Sequence, residues 1–288
     1  MIHFPENFPR EAAEFFAAHI REDSAPIQMP DGCYTFRRDG GDVFIDASCA
    51  EPAPPADRFQ EPGQVLVISL AHRADRRARL AQHLREIGWP FAAPQWVEAV
   101  DGKSVRPPPG WKWSSGAWAC LLSHRKALEQ ARDSGLREVM VLEDDVHFLP
   151  GFAAGVARFL AAVPDDWQMV MPGGRRYKGH AARDGVRRAW RMIGAECYAV
   201  RGSALADVCE RLRAAGPSNQ VDHLLGDIQR DIRAYAASPR LAYQIEGFSD
   251  ILQAERTARV EPEAFAHQPA KEGAIILSTG RHRRHFLA

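Results

Sequence analysis

A short apolar segment that ends in three consecutive acids constrains the fold of this chain more than any other feature. It reads Glu138-Val139-Met140-Val141-Leu142-Glu143-Asp144-Asp145-Val146. An apolar run of this length, rich in β-branched residues, predicts a strand buried on both faces, as in parallel sheets. Open α/β sheets bind their ligands at the carboxyl ends of the strands. The pattern therefore places the three acids at a ligand-binding edge.

The three acids are candidate metal ligands. Successive side chains of an extended chain point to opposite faces, so we expect Glu143 and Asp145 on one side and Asp144 on the other. Two carboxylates on one side suit Mg²⁺ or Mn²⁺, and a divalent ion suits a diphosphate. The alternative is a solvated acidic turn without a metal. The buried strand in front of the acids favours the metal interpretation.

Strand and helix patterns alternate on either side of this segment, which indicates βαβ units and a mostly parallel sheet flanked by helices. Gly88 and Gly135 are predicted to end two of the helices. Strands are predicted at 65–70, 96–100, 138–143, 168–171, 193–200 and 241–245, helices at 74–87, 114–132, 152–163, 203–214 and 222–235, and a polar loop at 173–188.

The first 62 residues form a predicted appendage of unassigned function. Residues 9–20 have helical spacing, and Asp39-Gly40-Gly41 between two β-rich runs predicts a hairpin. A proline-rich linker follows. The predicted domains are an appendage at 1–62, a main α/β domain at 63–260, and a C-terminal extension with a basic tail at 261–288.

Charge and cysteine content narrow the classes of function. Lys+Arg and Asp+Glu are each 37, so nucleic-acid binding is not indicated. The five scattered cysteines contain no CxxC pair, which favours a reducing compartment over a disulfide scaffold or a zinc site. No secretory signal and no run of 18 apolar residues is visible, so we expect a cytoplasmic protein without a transmembrane segment. The basic tail could contact a membrane surface, although a solvated end is the simpler interpretation.

Four segments form an ordered set of motifs: Val67–Leu70 with Arg73 and Arg76, Val100–Gly102, Cys120–His124, and Leu142–Val146. In this order they resemble glycosyltransferase family 25, which includes bacterial lipopolysaccharide sugar transferases and collagen galactosyltransferases. The resemblance covers roughly residues 64–252, with looser matches at Gly194–Tyr198, Asp222 and 249–251.

This resemblance implies a GT-A-type, Rossmann-like fold and a nucleotide-sugar donor, typically UDP-linked. It also implies a divalent ion (Mn²⁺ or Mg²⁺) and transfer of a hexose, with inversion, to a glycan or another hydroxyl-bearing acceptor. Asp222 or Glu196 is the expected catalytic base. The expected metal ligands are Asp145, Glu143 and Asp250. The expected nucleotide-sugar-binding residues are Leu70, Arg73, Arg76, Asp101, Gly102, Ser123, His124, Glu143 and Asp144.

Several of these residues have a structural alternative. Arg73 and Arg76 could be surface charges at a helix start, and Asp101 could close a turn. His124 could be a core histidine. Asp222 could be a helix cap, and Glu196 could face the edge of the core.

The sequence departs from the family pattern at two places. Ser69 stands where the family usually has Asn, and Gly116-Ala117-Trp118-Ala119 replaces the usual Gly-Glu-Ile-Gly. These changes leave the acceptor and the donor sugar open. Two other functions are therefore kept: a catalytically silent nucleotide-sugar-binding protein on the same fold, and a metal-dependent phosphoesterase.

Overall fold

The structure is a computed structural model that describes residues 58–174, 185–245 and 251, together with the backbone of six strands between residues 2 and 49 and between 247 and 256. Some sequence-based predictions fall outside the described residues. These are the helix at 9–20, most of the proline-rich linker, residues 175–184 of the polar loop, Asp250 and the basic tail.

The N-terminal segment contains a four-stranded sheet. Its strands are β1 (Ile2–His3), β2 (Ile27–Met29), β3 (Gly32–Asp39) and β4 (Asp42–Cys49). The spatial order is β1-β4-β3-β2. β3 and β4 pair antiparallel up to Asp39 and Asp42, which enclose Gly40-Gly41. This confirms the predicted hairpin, while the domain boundary near residue 62 stays a prediction.

The main part of the chain alternates strands and helices. In chain order the elements are β5 (Val65–Ser69), α1 (Ala74–Glu86), β6 (Gln95–Glu98), α2 (Ser115–Asp133), β7 (Glu138–Glu143), β8 (Val146–Phe148), α3 (Phe152–Ala162), β9 (Met169–Met171), β10 (Val186–Arg188), β11 (Cys197–Arg201), α4 (Ser203–Arg213), α5 (Val221–Ile228), β12 (Ala234–Ala237), β13 (Ala242–Gln244), β14 (Gly247–Ser249) and β15 (Ala254–Arg256).

Seven strands form one central sheet in the order β10-β12-β9-β11-β7-β5-β6. β5 pairs parallel with both β6 and β7, and β9 pairs parallel with β12. β11 runs against β7 and β9, and β10 runs against β12. Five of the seven strands therefore point the same way. The predicted α/β fold, a mostly parallel sheet flanked by helices, is confirmed.

The period-two alternation of the buried strands divides the core into two layers. Val139 and Val141 of β7 pack with α2, α4 and α5 on one face of the sheet. Met140 and Leu142 pack with α1 and α3 on the other. Burying a large apolar side chain contributes about 1.5–3 kcal/mol relative to exposure. The four consecutive apolar residues Val139–Leu142 thus hold helices to both faces of the sheet and fix the position of the acidic end of the strand.

The helix boundaries follow local signals in the sequence. Gly88 (φ 61°) and Gly135 (φ 70°) adopt the left-handed conformation just beyond α1 and α2, where glycine carries no steric penalty. At the start of α2, Ser114 Oγ accepts a hydrogen bond from the Ala117 N–H at 3.1 Å. Both predicted helix ends are therefore confirmed. Among the described residues, none of the helices combines the length and apolar character needed to cross a bilayer.

Two predictions in the second half of the chain are wrong. The helix expected at 222–235 ends at Ile228, and residues 234–237 are strand β12. The apolar residues Ile232 and Tyr235 fit a helical stripe, but this backbone instead pairs with β9 and β10. The polar loop expected at 173–188 contains the edge strand β10. Pairing between β10 and β12, which are about 50 residues apart in the chain, accounts for both differences.

Candidate functional site

A cavity of about 550 Å³ opens at the carboxyl ends of β5, β6 and β7. Parallel strands end at the same edge of a sheet, so loops from three distant parts of the sequence meet there. Among the residues that line the cavity are Leu70, Arg76, Asp101, Gly102, Ser123, His124, Glu143, Asp144 and Asp145. The structure thus brings together most of the residues that the sequence selected.

The acidic triplet does not continue the strand. β7 ends at Glu143, and Asp144 and Asp145 lie in the turn before β8. Arg76 Nη1 lies 2.8 Å from Asp144 Oδ1 and 3.5 Å from Asp145 Oδ2. The expectation that Asp144 points away from Glu143 and Asp145 is therefore wrong. Side chains alternate only on an extended chain, and this turn directs both aspartates toward one guanidinium.

Glu143 lies at the centre of a hydrogen-bond network. Its Oε1 is 3.1 Å from His124 Nε2 and 3.9 Å from Cys120 Sγ. Its Oε2 accepts a hydrogen bond from Gln244 Nε2 at 2.6 Å. His124 is fully buried, and its Nδ1 is 3.0 Å from the Tyr198 hydroxyl. Each polar end of His124 and Glu143 therefore has a defined partner.

Ionisation of the two neutral acids next to Glu143, the Cys120 thiol and the Tyr198 phenol, is unfavourable. Burial, followed by the nearby Glu143 carboxylate, raises the pKa of the Cys120 thiol well above its usual value. The same two causes, in the same order, raise the pKa of Tyr198. The thiol and the phenol are therefore neutral around Glu143 unless a cation enters the cavity.

The loop after β6 is held against α2 by two contacts. Ser123 Oγ donates to the Ala119 carbonyl at 2.7 Å and accepts the Val100 N–H at 2.9 Å. A Cβ on Gly102 would lie 2.8 Å from the Gly116 Cα, so only glycine allows this approach. These contacts fix the loop that carries Asp101 on the rim of the cavity.

Asp101 itself makes turn contacts. Its Oδ1 accepts the Lys103 N–H at 2.8 Å, and its carbonyl oxygen accepts the Ser104 N–H at 3.0 Å. The turn-closing interpretation of Asp101 is therefore observed. Its second carboxylate oxygen is not needed for that contact, so the ribose-binding interpretation stays open.

Of the predicted site residues that the structure describes, three do not line the cavity. Arg73 precedes α1 and pairs with Asp75 at 2.9 Å. Glu196 is buried, and its Oε1 accepts the Gly174 N–H at 2.6 Å. Asp222 lies in the first turn of α5, close enough for its charge to contribute to the raised pKa of Cys120. Of the two candidate bases, Asp222 is therefore the one that acts electrostatically on Cys120 in the cavity wall.

Sequence reasoning missed two residues of the site. Cys120 was not among the predicted site residues, yet it lines the cavity one helical turn before His124. Their i, i+4 spacing on one helix was the available signal. Gln244 had no local signal, because β13 is brought to β8 by antiparallel pairing across about 100 residues.

The fold and the site define a class: an α/β protein with a ligand cavity at the carboxyl edge of parallel strands, beside an acidic turn. Residues 63–185 match the family model described as glycosyltransferase family 25 (LPS biosynthesis protein). This part of the chain is therefore similar to glycosyltransferase family 25, the family that its motifs predicted.

Individual relatives agree with this similarity. Procollagen galactosyltransferase 1 of Danio rerio is 25% identical over 219 residues, which cover 62% of this chain and 36% of that protein. Inactive glycosyltransferase 25 family member 3 of Mus musculus is 33% identical over 144 residues, or 43% of this chain and 23% of that protein. The matched region of this chain spans about a third or less of the length of these relatives.

Among solved structures, a glycosyltransferase involved in glycosylation of the major capsid of PBCV-1 overlaps 66% of this chain and 95% of its own. Its TM-score is 0.39 and its sequence identity 14%.

Proposed function

We propose that this chain transfers a hexose from a nucleoside-diphosphate sugar, with UDP as the expected nucleotide, to an acceptor hydroxyl with inversion. The observation that carries the proposal is the acidic turn Glu143–Asp145, which faces a cavity together with Arg76. The family match of residues 63–185 supports the class of reaction. The relatives named procollagen galactosyltransferase transfer a hexose, galactose, by their names, and we extend hexose transfer to this site.

The residues at the turn fit a hard divalent ion. Glu143 and Asp145 offer carboxylate oxygens on the cavity wall, which suit Mn²⁺ or Mg²⁺. The shorter contact of Arg76 is with Asp144, so Asp145 is the more accessible aspartate of the pair. Asp250, the third proposed ligand, directly precedes Ile251, which lines the cavity. When bound, the ion would offset the negative charge that develops on the leaving diphosphate.

Protein groups around the turn are suited to the rest of the donor. Ser115 and Gly116 begin the 19-residue helix α2 on the cavity wall, where the helix dipole favours an anion. The planar fork of Arg76 suits phosphate oxygens. The Asp101–Gly102 rim is proposed to hold the ribose. We assign Leu70, Ser123 and His124 to the floor of the donor site.

Asp222 is proposed as the general base that deprotonates the acceptor hydroxyl. It occupies the first turn of α5, close enough for its charge to act on Cys120 in the cavity wall. Glu196 is the weaker candidate, because its side chain is buried against Gly174. An inverting reaction requires the base on the face of the sugar opposite the leaving diphosphate.

A catalytically silent donor-binding protein is the second candidate. The 33% identical mouse relative is named inactive, and Trp118 lies within the altered segment beside the cavity. A phosphoesterase has less support. Among the described residues, the cluster suited to a metal consists of Cys120, His124 and Glu143, rather than the array of aspartates and histidines that we expect of a catalytic phosphoesterase.

Donor binding and donor turnover separate these functions. The full chain is incubated with Mn²⁺ and a panel of nucleoside-diphosphate sugars. Donor binding is measured by thermal shift, and donor turnover by release of the nucleoside diphosphate. A donor at a hundred times its Kd should stabilise the fold by about 2.7 kcal/mol. A transferase binds donor and releases the nucleoside diphosphate when acceptors are added. A silent protein only binds donor, and a phosphoesterase cleaves phosphate esters without acceptor. Absence of binding by every donor rejects the first two functions.

A further inference from the structure

A thiol, an imidazole and a carboxylate converge at the back of the cavity. Cys120 and His124 lie one turn apart on α2, and Glu143 ends β7 opposite them. One ligand atom from each residue lies within 4.8 Å of the other two. The hard ligands proposed above for Mn²⁺ or Mg²⁺ share only Glu143 with this set.

The spacing of the three atoms fits a tetrahedral ion. With metal–sulfur bonds near 2.3 Å and metal–nitrogen or metal–oxygen bonds near 2.0–2.1 Å, neighbouring ligand atoms are separated by about 3.3–3.6 Å. The observed separations are 3.1 Å from His124 Nε2 to Glu143 Oε1 and 3.9 Å from Cys120 Sγ to the same oxygen. Shifts of a few tenths of an ångström would give these two tetrahedral edges, and the third separation, between Cys120 Sγ and His124 Nε2, is at most 4.8 Å.

Two of the three side chains also make hydrogen bonds through the atoms that do not face the cluster, as metal ligands usually do. The Tyr198 hydroxyl contacts Nδ1 of His124 at 3.0 Å, which leaves Nε2 facing the cluster. Gln244 donates to the second oxygen of Glu143 at 2.6 Å. Such outer contacts fix ring orientation and ligand position. Because Cys120, His124 and Glu143 line the cavity, a fourth coordination position would open toward bound ligand or water.

We propose that Cys120, His124 and Glu143 form a zinc site, and that Zn²⁺ bound there withdraws Glu143 from the donor. A sulfur, a nitrogen and an oxygen ligand match the preferences of Zn²⁺ and not those of Mg²⁺, which selects oxygen. The second half of this inference rests on the proposed function, because it assumes that Glu143 serves the donor and its divalent ion. Zn²⁺ is then an inhibitor that competes with donor binding.

Co²⁺ provides the direct test of the site, because a thiolate ligand adds a sulfur-to-cobalt charge-transfer band and a tetrahedral site gives strong visible bands. Full chain stripped with EDTA is titrated with Co²⁺, and then Zn²⁺ is added to displace it. We expect both features in the wild type and in the control Cys209→Ala, whose thiol lies on α4 outside the cavity. Cys120→Ser should lose the charge-transfer band, and its affinity for Zn²⁺ should fall at least tenfold.

A wild-type spectrum without thiolate features, or one that Cys120→Ser leaves unchanged, overturns the zinc site. Competition is measured separately, as the apparent Kd of donor at fixed Mn²⁺ with and without Zn²⁺. An increase of tenfold or more in the wild type, absent from Cys120→Ser, is expected. Unchanged donor affinity in Zn²⁺-loaded protein overturns the competition and leaves the site standing. Failure of every donor to bind rejects the proposed function, while the cobalt spectrum still decides the zinc site.

Discussion

The guanidinium of Arg76 lies 2.8 Å from the carboxylate of Asp144, and both side chains are largely buried, with 11% and 8% of their surfaces exposed. The two residues are 68 positions apart, one on α1 and the other in the turn after β7. A charge pair at this depth is sensitive to the loss of either partner, because the remaining charge stays buried. It therefore ties the first helix of the domain to the acidic turn.

Asp144→Asn should destabilise the fold more than Asp145→Asn. The first substitution removes the close partner of Arg76, and losing the partner of a buried polar group costs about 1–3 kcal/mol. Asp145 lies 3.5 Å from the same guanidinium and is more exposed, at 17%. Urea unfolding of both variants measures the difference. Equal loss of stability would show that Arg76 is shared evenly between the aspartates.

Asp145→Asn should preserve the fold and abolish the dependence of donor binding on Mn²⁺. An amide keeps the shape of the side chain but supplies a neutral oxygen, which is a poorer ligand for a hard cation. Thermal shift with a nucleoside-diphosphate sugar, with and without Mn²⁺, reads out the effect. Asp166→Asn is the matched control, because Asp166 is an exposed acid paired with Arg233 outside the cavity. Unchanged metal dependence in Asp145→Asn contradicts its role as a ligand.

Asp222→Asn should lower the transfer rate by about 10²–10⁴-fold, the usual contribution of a general base, while donor affinity stays nearly constant. Initial rates and donor Kd are measured on the same preparation. Glu196→Gln is the comparison, since Glu196 is buried against Gly174 and its substitution is expected to act on stability. A near-normal rate for Asp222→Asn would place the base elsewhere.

Gly102→Ala should destabilise the protein by about 1–3 kcal/mol, the typical cost of adding a methyl group to a tightly packed position. The new Cβ would lie 2.8 Å from the Gly116 Cα, and neither backbone can yield without moving the start of α2. Because both glycines line the cavity, donor affinity should fall with stability. Lys103→Ala, in the same loop, adds no atom near Gly116 and serves as the control for unfolding. Wild-type stability for Gly102→Ala would contradict the close contact.

Stability should fall as the pH is lowered from about 6.5 to 4, in part because of His83. Burial lowers the pKa of His83 to about 4, and its Nε2 accepts the Phe148 N–H at 2.9 Å. The folded state therefore favours neutral His83, whereas the unfolded chain binds a proton near pH 6.5. The stabilisation is complete above the unfolded pKa and is lost as the pH falls toward the folded one.

The loss of unfolding free energy that His83 causes between pH 6.5 and pH 4 should approach about 3 kcal/mol, from 1.36 kcal/mol for each unit of pKa difference. The charge of Glu86 opposes the lowered pKa of His83, and the His147 ring stacks on the His83 ring with 3.7 Å between their centroids. Unfolding free energies at several pH values should show a shallower slope for His83→Gln than for the wild type. The exposed His223→Gln should keep the wild-type slope. Identical slopes for wild type and His83→Gln would exclude His83 as a source.

The parts of this protein that could be predicted from sequence are those fixed by local physics. The apolar run of β7 must be buried on both faces, so its acids must emerge at an edge. Gly88, Gly135 and Ser114 carry the conformational and capping preferences that end or begin α1 and α2. Because these signals require no distant partner, the first half of the sheet and most of the cavity wall were predicted.

Features that depend on distant pairing were not predictable in the same way. Tyr235 satisfies a helical stripe, and only the partner strands β9 and β10 make it part of a strand. The direction of the Asp144 side chain depends on the residue at which β7 ends and the turn begins. Gln244 reaches Glu143 from 101 positions away. In each case the deciding contact lies outside any window over which a periodic pattern can be recognised.

Two hydrogen bonds join the cavity to residues that are synthesised late: Gln244 Nε2 donates to Glu143, and Ser114 Oγ donates to the Ile251 carbonyl. The cavity can therefore be completed only near the end of translation of this region. A ribosome adds about 5–20 residues per second, so roughly 5–20 s separate the emergence of the acidic turn from that of the residues that hold it. During this interval β5, β6 and β7 can already pair while the cavity lacks one side. We therefore expect a nascent chain stopped before residue 242 to be partly folded and unable to bind the proposed donor.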